Sequence, residues 1–432
     1  MGHAVNPAGG YALLQQRLDR NVTGAPASPV FTRILEMLFS PEEAELARHM
    51  PGRPTSVDTL ATRLDLPADE LAARLTEMAE RGCMLDLTHD GQRYFMLPPV
   101  VIGFFEFTFM RTRDEATMAE LARLFDQYMH DDDRFKRAVF EGRTQVGRSL
   151  VREEALPDGI VDHVEVLDWE RASSIVEAAS MQAVSLCSCR HKASHLGQAC
   201  GRDLRTCLTL NQSAETLVRS GNAETITAAE ALAIVQRSKE AGMAQTADNV
   251  RRQVSYICNC CGCCCGMMSA VKTFELRHAI VTSNWIMTVR KTRCRGCGRC
   301  VKACPVNAIT LEEETVGDVR RAWAARDEDL CLGCGVCYSA CRNGAITMRP
   351  RAHRVFTPES VFDKTVAMAI ERGKLAGLLF PERDTLSHRA LGRVVEAIEK
   401  SPPVKAALAI ESLHSAFLSA VVKEAKRGTL PS

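Results

Sequence analysis

Apolar residues recurring at three- and four-residue intervals set the first elements of the chain. In VFTRILEMLF, Phe31, Ile34, Leu35 and Leu38 share one face of a helix. A short helix follows from Pro41, and TSVDTLATRL opens with Thr55 and Asp58 in a capping-box arrangement. The next helix, PADELAARLTEMAERG, starts at Pro67, closes on Gly82 and buries Leu71, Leu75 and Met78. The period then changes to alternation: CMLDLTHDGQRYFML predicts two short strands around Asp90-Gly91, a tight-hairpin dipeptide. Helices followed by a hairpin over residues 30–98 give the order of a winged helix, with residues 1–29 an extension before it.

Residues 99–181 read as a mainly helical connector, with ATMAELARLFDQYM and RASSIVEAAS its clearest pieces and Gly159 and Asp162 flanking a short apolar alternation. The apolar run Leu97 to Met110 contains two prolines and Glu106 and falls short of the ~20 residues a spanning helix needs, so it predicts a buried segment. No transmembrane segment is expected, and peripheral membrane contact is the weaker reading. Residues 182–284 form a cysteine-rich domain of mixed structure and residues 285–350 a second one. The remainder, 351–432, predicts a helical tail, because VFDKTVAMAIERGKLAGLL and PPVKAALAIESLHSAFLSAVVKEAKR are amphipathic at helical spacing. The fold class is α+β.

Charge changes this picture by exclusion. A formal net charge of +1 over 432 residues supplies no field toward nucleic acid or anionic lipid. The helix that would enter a DNA groove carries Asp69, Glu70, Glu77 and Glu80 against Arg74 and Arg81, whereas groove insertion needs phosphates neutralised. A docking or packing module is the expected role of this domain.

Nineteen cysteines without a recognisable secretory signal point to metal ligation in the cytoplasm rather than to disulfides. The segments CRGCGRCVKACP and CLGCGVCYSACR both run C-x2-C-x2-C-x3-C, place every cysteine 37 residues apart, and are each followed by AIT at Ala308 and Ala345. This is an internal duplication. The glycines at 296, 298, 333 and 335 permit tight turning and leave amides free to point at sulfur.

The duplicated loops resemble those of bacterial two-cluster ferredoxins. The resemblance implies that Cys294, Cys297, Cys300 and Cys341 hold one [4Fe-4S] cluster, and that Cys331, Cys334, Cys337 and Cys304 hold another. Arg342 departs from the pattern, which has proline there; the added positive charge would raise the second cluster's potential.

A second field holds ten cysteines: Cys187, Cys189, Cys200 and Cys207, then Cys258, Cys260, Cys261, Cys263, Cys264 and Cys265. Six thiols in eight positions exceed what one tetrahedral zinc site uses, and thiols this dense would be an oxidation hazard if free. Two further four-iron clusters with two cysteines spare, or one larger or non-cubane cluster, both satisfy the count. Asn259, Gly262 and Gly266 suggest an irregular loop. Arg190, His191, Lys192 and His195 place positive charge beside Cys187 and Cys189, where it stabilises thiolates. His191 is expected near the centre or at the surface in preference to ligation.

The order of winged helix, Cys-x-Cys-Arg segment, CNCCGCCC and ferredoxin loops resembles a family of multi-cluster iron–sulfur proteins of anaerobic metabolism. Three roles stay open. Electron transfer to a redox protein or a larger oxidoreductase complex leads, since it requires no acid–base residues. A catalytic middle centre reducing a small molecule or disulfide predicts an incomplete ligand set. A redox sensor acting through the winged helix predicts salt-dependent DNA binding.

Overall fold

The computed structural model describes residues 7–157, 168–316 and 319–379. They fall into two compact units. One comprises the chain up to Phe105, Leu124–Thr144 and the segment from Pro358; the other comprises Glu106–Arg123 and Gln145–Thr357. Mixed helix and sheet matches the expected class.

In the first unit, the helix Pro29–Leu38 buries Phe31, Ile34, Leu35 and Leu38, and Ser28 caps it by accepting the Phe31 N–H. Ser40 and Glu43 form a reciprocal capping box on Pro41–Arg48. The helix Val57–Leu64 is capped by Ser56, which accepts from Thr59 N–H, so the cap lies one residue beyond the expected Thr55. Thr55 is instead drawn into a strand, β1 (Thr55–Ser56), that pairs with β3 (Gln92–Met96), itself the partner of β2 (Leu85–His89). Asp90 and Gly91 turn that hairpin with φ of +49° and +76°, left-handed values that a primed turn requires. The helix Ala68–Glu80 buries Leu71, Leu75 and Met78 as expected.

A helix over Pro7–Asp19 precedes these elements, burying Leu14 and Leu18, and Tyr11 donates to Phe39 O at 2.8 Å. Phe31 stacks on Tyr128 with centroids 4.6 Å apart, and Phe104 and Phe105 pack near Phe125. The apolar run after Leu97 is therefore core. The helices Val361–Glu371 and Leu375–Leu379 begin the tail. The second amphipathic stretch of that tail, and the alternation at Gly159 and Asp162, lie outside the described residues. Among the described residues no helix is long and apolar enough to cross a membrane.

The second unit is organised by an antiparallel six-stranded sheet. Its strands are β4 (Gly147–Ser149), β5 (Gln182–Leu186), β6 (Arg205–Leu210), β7 (Glu224–Ile226), β8 (Ala244–Asp248) and β9 (Tyr256–Cys260), in the spatial order β4-β8-β9-β6-β5-β7. Strand residues alternate between faces. Val184, Leu208, Ala247 and Ile257 pack with Ile234 and Val235 of the helix Ala228–Glu240 in one buried cluster. The opposite face thereby receives Cys207, Thr246, Cys258 and Cys260. The first half of the cysteine-dense stretch is thus a strand paired with both β6 and β8, not the irregular loop expected. Only the turn at 262–264 is irregular, and the helix Gly266–Thr273 follows.

Two smaller pairs complete this unit. β10 (Trp285–Val289), before the first ferredoxin-like loop, pairs with β13 (Ile346–Pro350), after the second. Between them β11 (Ile309–Val316) and β12 (Val319–Arg326) form a long hairpin. The two loops are consequently related by an approximate twofold.

Candidate metal centres

All cysteines except Cys83 lie in the second unit. In the paired loops, Gly296, Gly298, Gly333 and Gly335 adopt φ of +62°, +70°, +71° and +80°. A Cβ built on Gly296 would stand 2.6 Å from Ala322 Cβ, and one on Gly333 would collide with Trp285 O and Ser283 Oγ. Each loop runs into a five-residue helix, Arg299–Ala303 or Val336–Ala340, ended by the fourth cysteine. Cys304 Sγ accepts the Ala308 N–H at 3.2 Å and Cys341 Sγ accepts the Ala345 N–H at 3.4 Å. The repeated AIT thus begins with the amide that holds the fourth sulfur. Cys294 Sγ accepts from Ala324 N–H at 3.4 Å, across the hairpin.

Cys294, Cys297, Cys300 and Cys341 line one cavity with Leu311 and Ile346. Cys304 stands with Cys331, Cys334 and Cys337. In that second group burial, reinforced by the neighbouring sulfurs, pushes the Cys334 thiol up to about 12 and Cys337 well up. The groups differ in access: Cys297 is exposed, whereas Cys331, Cys334 and Cys337 are buried. Arg152 N–H donates to Cys334 O at 3.2 Å, Ser283 Oγ to Gly333 O at 2.9 Å, and Arg351 to Cys331 O. Arg342 is exposed.

The ten middle cysteines divide into two sets. Six gather on the sheet face: Cys207 from β6, Cys258 and Cys260 from β9, Cys187 and Cys189 at the start of the helix Ser188–His195, and Cys265 before Gly266–Thr273. Cys258 meets Cys207 and Cys260, Cys265 lies 3.5 Å from Cys260, Cys189 meets Cys265, and Cys187 adjoins Cys189 and Cys207. Cys187 and Cys265 occupy the N-cap positions of their helices, so two helix N-termini face this set. Thr246 Oγ1 lies 3.3 Å from Cys260 Sγ. Burial, first, and nearby sulfurs push the Cys187 thiol up to about 12.

The other four, Cys200, Cys261, Cys263 and Cys264, bring all their sulfurs within 4.8 Å of one another. Arg190 Nη1 lies 3.8 Å from Cys261 Sγ, and Arg202 Nη1 3.9 Å from Cys263 Sγ. Burial pulls the Arg190 pKa down, but Cys187, Cys261 and Cys260 more than offset it, and the guanidinium is held charged. Hydrogen bonding from Cys264, first, with Cys263 and Arg190 adding to it, lowers the Cys261 thiol against the upward push of burial. His191 is turned away from sulfur: its Nδ1 meets Phe109 O at 2.8 Å and its Nε2 meets His195 Nε2 at 3.2 Å.

Several contributors were not visible as spacing. Arg152 is fully buried and donates to Met243 O at 3.0 Å, while Met243 Sδ accepts from Arg190 at 3.3 Å. Gly262 approaches the backbone of Pro305 so closely that a Cβ there would stand 2.8 Å from Pro305 O. The available signals were a glycine inside a cysteine run and cysteines immediately before helical stretches.

Residues 293–345 match the model of the 4Fe-4S dicluster domain, and residues 23–78 match that of the DprA winged helix domain. No curated protein and no solved structure matches the chain. The dicluster match agrees with the chemistry of the paired loops: converging thiols, amides donating to sulfur, and glycines where a side chain would intrude. The chain carries an iron–sulfur domain.

Proposed function

We propose that the protein is an electron carrier whose ferredoxin-like loops accept single electrons and pass them to the cysteine-bearing sheet face, and thence to a redox partner. In this reading Cys294, Cys297, Cys300 and Cys341 hold one [4Fe-4S] cluster, Cys304, Cys331, Cys334 and Cys337 a second, and the six-thiol set a further iron–sulfur centre. When bound, such clusters supply one-electron storage over a potential range that burial and hydrogen bonding set.

The observation that carries this reading is a continuous polar link. It runs from Cys334 O to Arg152 N–H at 3.2 Å, from the Arg152 guanidinium to Met243 O at 3.0 Å, and from Met243 Sδ to Arg190 at 3.3 Å. Arg190 Nη1 then donates to Asn259 O at 3.0 Å, between Cys258 and Cys260 of the six-thiol set. The contact of Gly262 with Pro305, next to Cys304, supports the same connection through a shorter span of chain.

The loop carrying Cys297 supports the choice of entry point. Arg290, Lys291, Arg293, Arg295, Arg299 and Lys302 are exposed there, and residues 290–302 contain no Asp or Glu. Such a rim complements an acidic redox protein.

Anaerobic iron and sulfide analysis with EPR tests the reading on the full chain and on a Cys207→Ala/Cys258→Ala variant. The intact protein should exceed the ~8 irons of two [4Fe-4S] clusters, and the variant should fall to that number while keeping the dicluster signals. About eight irons in both proteins would remove the middle centre from the proposal.

A further inference from the structure

We infer that Cys200, Cys261, Cys263 and Cys264 form a separate, mononuclear tetrathiolate site that holds one zinc ion rather than an iron–sulfur cluster. The inference rests on spacing. Four sulfurs bound to one tetrahedral ion at about 2.3 Å must lie about 3.8 Å apart along each edge. Three of the six edges measure 3.8 Å for Cys200 to Cys261, 4.0 Å for Cys200 to Cys264 and 3.7 Å for Cys263 to Cys264, and the other three lie within 4.8 Å. A cubane spreads its thiolates farther, because each binds a different iron at a different corner.

The molecule contains its own comparison. Among the described residues, this is the one group of three or more His, Cys, Asp or Glu ligand atoms drawn within 4.8 Å of each other; neither cysteine quartet of the paired loops is so contracted. Three of the four ligands come from the four-residue turn Cys261–Cys264, which can converge on a point but cannot readily reach three corners of a cage.

Charge and position agree. A divalent ion with four thiolates carries two net negative charges, and Arg190 and Arg202 stand 3.8 and 3.9 Å from two of the sulfurs. Soft thiolates in tetrahedral array suit zinc, and four protein ligands close the coordination sphere as in structural sites. The ion would clasp the segment around Cys200 to the turn after β9. Because zinc has no redox chemistry, electrons would use the six-thiol set and pass this site by.

This assignment does not depend on the electron-transfer reading, since zinc and iron are counted separately. Metal analysis of anaerobically purified full-length protein should find about one zinc per chain, and zinc-edge X-ray absorption should show four sulfurs at about 2.3 Å. The double substitution Cys263→Ser/Cys264→Ser should abolish the zinc and leave iron unchanged, while Cys207→Ala/Cys258→Ala should lose iron and keep zinc. The absorption measurement needs no substitution, so a variant that fails to fold leaves the test intact. Absence of zinc from the intact protein, zinc with nitrogen or oxygen ligands, or a ferric mononuclear signal assigned to these cysteines would overturn the inference.

Discussion

At the scale of single residues, backbone conformation and charge both constrain the paired loops. Gly333 combines φ +71° with a wall formed by Trp285 O and Ser283 Oγ. Gly333→Ala therefore meets an overpacking cost of about 1–3 kcal/mol in addition to about 1–2 kcal/mol for left-handed backbone. The expected outcome is a lower unfolding midpoint and loss of up to half of the iron of the paired loops, read by denaturation and iron analysis. Gly298→Ala has more room, with Leu311 Cδ1 3.9 Å away, and should lose less. Arg152 acts through charge: buried against Cys334, it stabilises whatever negative charge gathers there. Arg152→Met should lower the midpoint potential of the associated signal in a redox titration at unchanged iron content. The glycines were legible as residues of a turning loop. Arg152 was not, because its proximity to Cys334 joins positions 182 residues apart by folding alone.

Among the elements, the central sheet was the least legible and matters most. Its strands are short, and β9 reads Tyr-Ile-Cys-Asn-Cys, a sequence whose alternation sets thiols against one isoleucine and one asparagine. Density of cysteine hid the period. The winged-helix elements were plain because their apolar stripes and caps are local, and only the position of the Val57–Leu64 cap shifted, by one residue. The grouping of the ten middle cysteines depends on β6 pairing with β9, so no local pattern could contain it. On β4, Arg148 forms a buried pair with Glu170 at 3.9 Å, and Glu170 accepts from Asn284 N–H at 2.8 Å. Burial raises the Glu170 pKa, and the lowering by Asn284 and Arg148 does not fully offset it. Folding therefore favours the protonated acid: its stabilising share is complete below the ordinary carboxyl value and is lost as pH rises through the folded one. Glu170→Gln should remove that part of the pH dependence, measured as unfolding free energy against pH. Glu170→Ala leaves the Asn284 N–H without its acceptor and Arg148 with Asp248 as its remaining acidic neighbour, and should cost about 1–3 kcal/mol.

Across the whole molecule, the net charge of +1 conceals a strongly uneven distribution. The six exposed cations between residues 290 and 302 surround the more accessible of the two loop quartets. Reduction by an acidic protein donor should slow steeply as ionic strength rises, since exposed charges are screened beyond about 8–10 Å at physiological salt. Reduction by a neutral small donor should change little, and stopped-flow mixing at several salt concentrations separates the two. Air should likewise act unevenly. Iron associated with Cys297, which is exposed, should be lost before iron associated with Cys331, Cys334 and Cys337, and EPR during controlled oxygen exposure reads that order. The deeper consequence lies in the sheet itself. Cys207, Cys258 and Cys260 project from hydrogen-bonded strands backed by a packed apolar layer, so their anchor points cannot drift when the charge beside them changes. For the iron–sulfur centre proposed there, a floor that stiff would keep the reorganisation energy of electron gain and loss small, and a small reorganisation energy permits rapid exchange even where the driving force is slight.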